Sequence, residues 1–290
     1  IAGRSGVMGD PAHARFVLNR ATFFVGSPAL VLVSLLDSDI AAVLGAPIVV
    51  ATAAGLGTGA IMLLVMRLFT KRSRVDALVT AICSSVANGG NMGFPIATYV
   101  LGSPAHALPV ILFQQALYTP IYQFGLHVVT SGRRPSPRAL AAGVVGNPMI
   151  LATVLGLVLL ALDVRVPEFL LDPVHSLADL AIPGMLMAFG LSLIGSHPLA
   201  AEDGNRKLVA VATAAKLGLM PAIAAGTGLV LGLAGHDLFA VVVMAALPTA
   251  QNVFVAASRF RASETLARDT VLVTTFGTVA ALLLVSALLG

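Results

Sequence analysis

Charge is scarce in this chain. Asp, Glu, Lys and Arg make up 10 % of its 290 residues, against about 25 % in a soluble domain. Hydrophobic residues make up 58 %. That balance excludes a soluble globular protein and gives no reason to expect a nucleic-acid partner. It makes the lipid bilayer the expected surroundings. Cysteine is nearly absent: Cys83 stands alone, so no intramolecular disulfide can form. No activating histidine lies near it in sequence, and it reads as a small packing residue. Carboxylates are missing from the middle of every apolar segment, and Asp76, Asp179 and Asp269 fall near segment ends. No cluster of His, Cys or carboxylates lies within a segment, so neither a metal nor another cofactor is expected. The chain has no Gly-x-Ser-x-Gly, no His-Glu-x-x-His and no mid-segment aspartate pair, which argues against an intramembrane hydrolase. The sequence does not open on a signal-peptide pattern, and no low-complexity tract or large soluble segment is read within it. The opening Ile1-Ala2-Gly3-Arg4 reads as the tail of an apolar stretch, so a further helix is expected before residue 1.

What is present is long apolar runs. A helix needs about 20 apolar residues to cross ~30 Å of hydrocarbon. Nine segments qualify: 16–36, 41–66, 75–101, 105–130, 139–162, 174–195, 208–233, 238–258 and 270–289. Lys and Arg set the orientation. With nine spans, 15 of the 17 basic residues fall in loops on one side. The other side holds only Arg165, and Lys216 lies within a span. The basic loops are therefore expected to be cytoplasmic and Gly290 outside.

Two of the segments are interrupted. The run from 75 to 101 carries Asn88-Gly-Gly-Asn91-Met-Gly93-Phe-Pro95 at mid-depth, and the run from 238 to 258 carries Leu247-Pro248-Thr249-Ala250-Gln251-Asn252. Lipid satisfies no backbone N–H or C=O, so a lipid-facing span is an unbroken helix. Glycine and proline at mid-depth predict helices broken on purpose, with loose backbone groups and amides facing a cavity. Broken helices in matching positions of two halves point to a transporter binding site. The halves do match: Pro28 and Pro183 are 155 residues apart, as are Gly93 and Pro248. This predicts two repeats, 1–130 and 139–290, joined by the Arg-rich linker 131–138. An odd number of helices per repeat inverts one relative to the other in the membrane.

Neutral amides and helix N-termini suit an organic anion that must bind and leave again. Gln115, Tyr118 and Tyr122 lie at i, i+3 and i+7 of one helical face. Such a face looks inward, onto a partner helix or a cavity. Asn147 reads as interhelical packing. Lys216 is the only basic side chain well inside a span, and a lysine there costs about 2.5–3.5 kcal/mol even on the lenient insertion scale. It is expected beside the break, hydrogen-bonded to freed carbonyls and acting as a fixed positive charge.

These features resemble the auxin efflux carrier family, which includes bacterial organic-anion carriers and plant auxin exporters. The resemblance rests on Asn88 to Pro95, on Ala215-Lys-Leu-Gly-Leu-Met-Pro221, and on Ala245-Ala-Leu-Pro-Thr-Ala-Gln-Asn-Val-Phe-Val-Ala-Ala-Ser-Arg-Phe260 followed by Thr265 to Thr275. It covers nearly the whole chain. The family implies an all-α membrane protein of ten helices in two inverted five-helix repeats, as in bile acid/sodium symporters. Its fourth and ninth helices are broken and cross at the midplane. It also implies an elevator-like motion and a helix 105–130 bordering the site. The short linker marks a compact bacterial member, so the plant substrate does not follow. The expected substrate-contacting set is Asn88, Gly90, Asn91, Gly93, Pro95, Gln115, Tyr118, Pro248, Thr249, Gln251 and Asn252, with Lys216 as the charge. The expected function is secondary transport of a small organic anion, such as a dicarboxylate or an auxin-like acid, across the plasma membrane. A homodimer is compatible with this. The alternatives are a sodium-coupled symporter of the same fold, and a membrane sensor or channel.

Overall fold

The computed structural model describes residues 10–37, 43–133, 146–164, 166–192 and 205–290. Most of the linker 131–138 and the basic residues Arg4, Arg134, Arg138 and Arg165 lie outside them. Among the described residues, all named elements are helical. Four helices are long and apolar enough to cross a membrane: His13–Leu36, Ala46–Phe69, Arg206–Val230 and Glu264–Leu289. At 1.5 Å per residue each exceeds ~30 Å. Pro148–Ala161 and Gly235–Ala245 are shorter apolar helices. Phe69, Val230 and Leu283 are among many large apolar side chains left exposed. Lipid is the solvent that fits such a surface.

The other expected segments are built from pieces. Residues 104–131 form a continuous run made of Pro104–Ala107, Leu108–Phe113, Gln114–Tyr118 and Thr119–Ser131. The segment expected at 174–195 is two helices, Glu168–Asp179 and Ala181–Ser192, meeting at Leu180.

Prolines shape these helices in one recurring way. Each of four turns has widened to π geometry: Thr22–Gly26, Gly89–Gly93, Gln114–Tyr118 and Ala215–Leu219. Each ends two residues before a proline: Pro28, Pro95, Pro120 and Pro221. Proline has no N–H to donate, and its ring crowds the carbonyl four residues back. Widening the turn moves that carbonyl aside without ending the helix.

Close packing holds the frame. Ala46–Phe69 packs against Arg74–Ser85 and against Met220–Val230. Its glycines permit close approach. A Cβ on Gly59 would strike the Tyr118 hydroxyl and lie 3.2 Å from Ser85 Oγ. One on Gly55 would lie 2.5 Å from the Phe113 ring.

Candidate functional site

The two interrupted segments meet. The first is a helix over Arg74–Ser85, an extended link at Val86–Asn88, and a second helical stretch through Gly89–Gly93 and Phe94–Leu101. The second is Gly235–Ala245, a link through Ala250, and Gln251–Arg259. Ala87 and Thr249 form an antiparallel bridge. Asn88 N donates to the Pro248 carbonyl at 2.8 Å, and Ala250 N donates to the Val86 carbonyl at 3.0 Å. The links therefore satisfy each other's backbone where lipid would not.

The bridged positions are 162 residues apart. The first link unwinds ahead of its glycines, because Asn88 already caps the second half-helix. Its side-chain Oδ1 accepts from Asn91 N at 3.3 Å. Gly90 and Gly93 then fall in the widened first turn, and Pro95 sits at the start of the α-helical part. Only Pro248 lies within a link.

A broken helix leaves carbonyls with no partner at the end of its first half. Remote donors reach three of them. Thr249 Oγ1 donates to the Cys83 carbonyl at 2.6 Å, and Thr278 Oγ1 donates to the Ala246 carbonyl at 3.4 Å. Lys216 Nζ donates to the Ala245 carbonyl at 2.8 Å. Lys216 is fully buried. No carboxylate lies within ion-pair distance of it among the described residues. Its ammonium stands at the C-terminal, negative end of the helix Gly235–Ala245, where a cation is stabilised. The widened turn Ala215–Leu219 carries it there.

The second half-helices frame a cavity. A small chamber of about 50 Å³ is lined by Asn88, Gly90, Asn91, Gln114, Gln115 and Asn252, among others. A vestibule of about 490 Å³ shares Asn91, Gln115, Tyr122 and Asn252 with it. The vestibule adds Gln123, Asn147 and Gln251, and its mouth carries Arg15, Arg20 and Arg259. Both half-helix N-termini border the chamber, and no side chain caps the one at Ala250. Asn88 Nδ2 is buried and has no hydrogen-bond partner among the described residues. An orphaned buried donor costs about 1–3 kcal/mol. Uncapped N–H groups and a spare amide donor make the chamber a place for an acceptor, above all a carboxylate. A third cavity, of about 560 Å³, lies towards the other end of the helix His13–Leu36 and is lined by Asp37, His175 and Asp179.

The residues expected from sequence divide into two groups. Asn88, Gly90, Asn91, Gln115, Gln251 and Asn252 line the chamber or vestibule. Gly93, Pro95, Tyr118, Pro248 and Thr249 line neither. Gly93 packs near Leu247, and Thr249 holds the links together. Tyr118 hydrogen-bonds Ser85 Oγ at 2.6 Å and stacks on Phe113 with centroids 5.4 Å apart. The reason is the widened turn Gln114–Tyr118, which shifts the helical register. The cavity face runs Gln115, Thr119, Tyr122, Gln123 rather than Gln115, Tyr118, Tyr122. Asn147 does more than pack: its Nδ2 donates to Gln115 Oε1 at 2.9 Å. Its own Oδ1 accepts from Met149 N. Phe23, Ser27 and Thr119 also line the chamber. Pro120 signals the shifted register that brings Thr119 in, but Phe23 and Ser27 carry no polar pattern of their own.

Four long apolar helices and a cavity lined largely by amides fit a multi-pass membrane protein. Comparison with known proteins agrees. Residues 138–286 match the family described as membrane transport protein. The chain is 31 % identical over 225 residues to the "Putative malonate transporter" of Rhizobium meliloti (strain 1021). That match spans 73 % of this chain and 68 % of the relative. The chain belongs to the auxin efflux carrier-type membrane transport family.

Proposed function

We propose that the protein is a secondary transporter of a small organic anion, bound where the two links cross. The observation that carries this is the chamber chemistry. Two half-helix N-termini and a buried Asn88 amide, unpartnered among the described residues, converge on a space whose described lining holds no charged side chain. Neutral donors bind an anion without trapping it, which suits a carrier. Two N-termini match two carboxylates, and the relative's name makes malonate the first substrate to test. In this reading, residues 1–130 and 139–290 are inverted repeats joined by 131–138. The crossed segments move together in an elevator-like step, and the vestibule is the side open in this conformation.

The test is radiolabelled malonate uptake into proteoliposomes preloaded with unlabelled malonate. Counterflow that saturates is the expected result. No flux with malonate or any other short dicarboxylate refutes the reading, as does a non-saturating flux at channel-like rates. Binding without flux makes the protein a sensor.

Sidedness is part of the proposal. The basic loops face the cytoplasm of the plasma membrane, and Gly290 lies outside, on the strength of the 15 to 1 split in loop charge. Single cysteines at Ser73 and Ser136, in a Cys83→Ser background, are expected to resist an impermeant thiol reagent on intact cells. One at Ser103 is expected to react. Labelling at Ser73 and Ser136 from outside overturns the topology.

A further inference from the structure

The mouth of the vestibule is built differently from the chamber. Arg20 lies over two phenyl rings, 5.6 Å from the Phe16 centroid and 5.5 Å from that of Phe24. Arg259 lies 5.8 Å from the Phe260 centroid. Both line the same cavity as Asn91 and Asn252. Stacking restrains a guanidinium that would otherwise sweep through solvent, and leaves its N–H edge free to point into the cavity. Among the described residues, no Asp or Glu lines this vestibule. Neither arginine forms an ion pair among the described residues. Arginines that only fix orientation need neither a ring to lie on nor a place in a cavity wall.

We infer that Arg20 and Arg259 form a second anion site at the vestibule mouth. It captures the carboxylate substrate before the substrate reaches the chamber. The inference rests on the carrier reading above and adds a residue-level step to it. The ligand class is the same small carboxylate, held by charge rather than by amides. A cavity lined by one sign of charge raises local ligand concentration and on-rate by about 10- to 1,000-fold, and salt screens the effect. The Debye length shrinks from about 20 Å at low salt to below 10 Å at physiological salt. The chamber, with no charged side chain among its described lining residues, has no comparable salt dependence.

The test measures malonate binding to protein in phosphatidylcholine nanodiscs between about 20 mM and about 300 mM choline chloride. In the wild type, affinity is expected to fall about tenfold or more across that range. In Arg20→Gln/Arg259→Gln the affinity is expected to be low at both ends and nearly flat. In proteoliposomes this variant loses rate at low malonate but keeps the saturating rate within about twofold, which a misfolded protein would not do. Asn91→Ala/Asn252→Ala is expected to keep a weak, salt-sensitive binding step after chamber binding is lost. A wild-type salt slope in the arginine variant overturns the inference, and so does an equal loss of saturating rate. If discs containing about a quarter phosphatidylglycerol abolish the salt-sensitive step, the site holds a lipid headgroup and the inference fails. Full affinity in the asparagine variant, with the salt slope gone in the arginine variant, refutes the chamber reading and leaves this one standing.

Discussion

Replacing Lys216 by methionine is expected to cut malonate transport about tenfold or more, a barrier increase of ~1.4 kcal/mol. Methionine keeps most of the volume of the lysine stem and removes the ammonium. The Ala245 carbonyl, now bonded at 2.8 Å, then loses its remote donor. The end of the helix Gly235–Ala245 loses the charge that offsets its dipole. An orphaned buried acceptor costs about 1–3 kcal/mol, so a lower melting temperature is expected too. That cost alone does not establish a role in transport. Lys216→Gln separates the two, because its amide can still donate but carries no charge. If the charge serves transport, Lys216→Gln recovers thermal stability without recovering flux. Full flux in that variant reduces Lys216 to a helix cap. The companion measurement replaces sodium by choline. In the proposed reading, the Lys216 ammonium beside the link takes the place of a bound sodium. Wild-type flux is therefore expected to stay within about twofold. A strict sodium requirement would favour the symporter alternative and remove the fixed-charge role.

Asn252→Ala is expected to weaken malonate binding about 10- to 100-fold while leaving the melting temperature almost unchanged. Asn252 lines both chamber and vestibule and its side chain has no hydrogen-bond partner among the described residues. Removing it breaks nothing in the empty protein, and such substitutions usually fall within about 0.5 kcal/mol. A hydrogen bond to a charged ligand contributes about 1.5–3 kcal/mol, which is the affinity loss expected. Tyr118→Phe is the contrasting case. It removes the bond to Ser85 Oγ and lies off the cavity wall, so stability is expected to fall and affinity to hold. Isothermal titration beside thermal unfolding reads both. Unchanged affinity in Asn252→Ala, or lost affinity in Tyr118→Phe at full stability, would exchange the roles assigned to these residues.

The membrane class was legible in the sequence because it follows from summed composition. Ten per cent charge and apolar runs of twenty residues leave no other solvent. The two interruptions were legible as well, since proline, glycine and asparagine act on the backbone beside them. Lys216 stood out because one ammonium in an apolar run is costly wherever it points. What the sequence could not fix was which groups meet. The unwound link fell at Val86–Asn88 rather than at the glycines, because Asn88 could cap the next turn and Pro248 offered its carbonyl to Asn88 N. Tyr118 left the cavity face because one widened turn, set by Pro120, shifted the register. The acceptor of Lys216 lies 29 residues along the chain, and Thr249 reaches a carbonyl 166 residues back. Local pattern reports what a residue does to its own turn. Only the tertiary structure decides which distant donor meets each orphaned carbonyl, because without water every such group must find its partner within the protein.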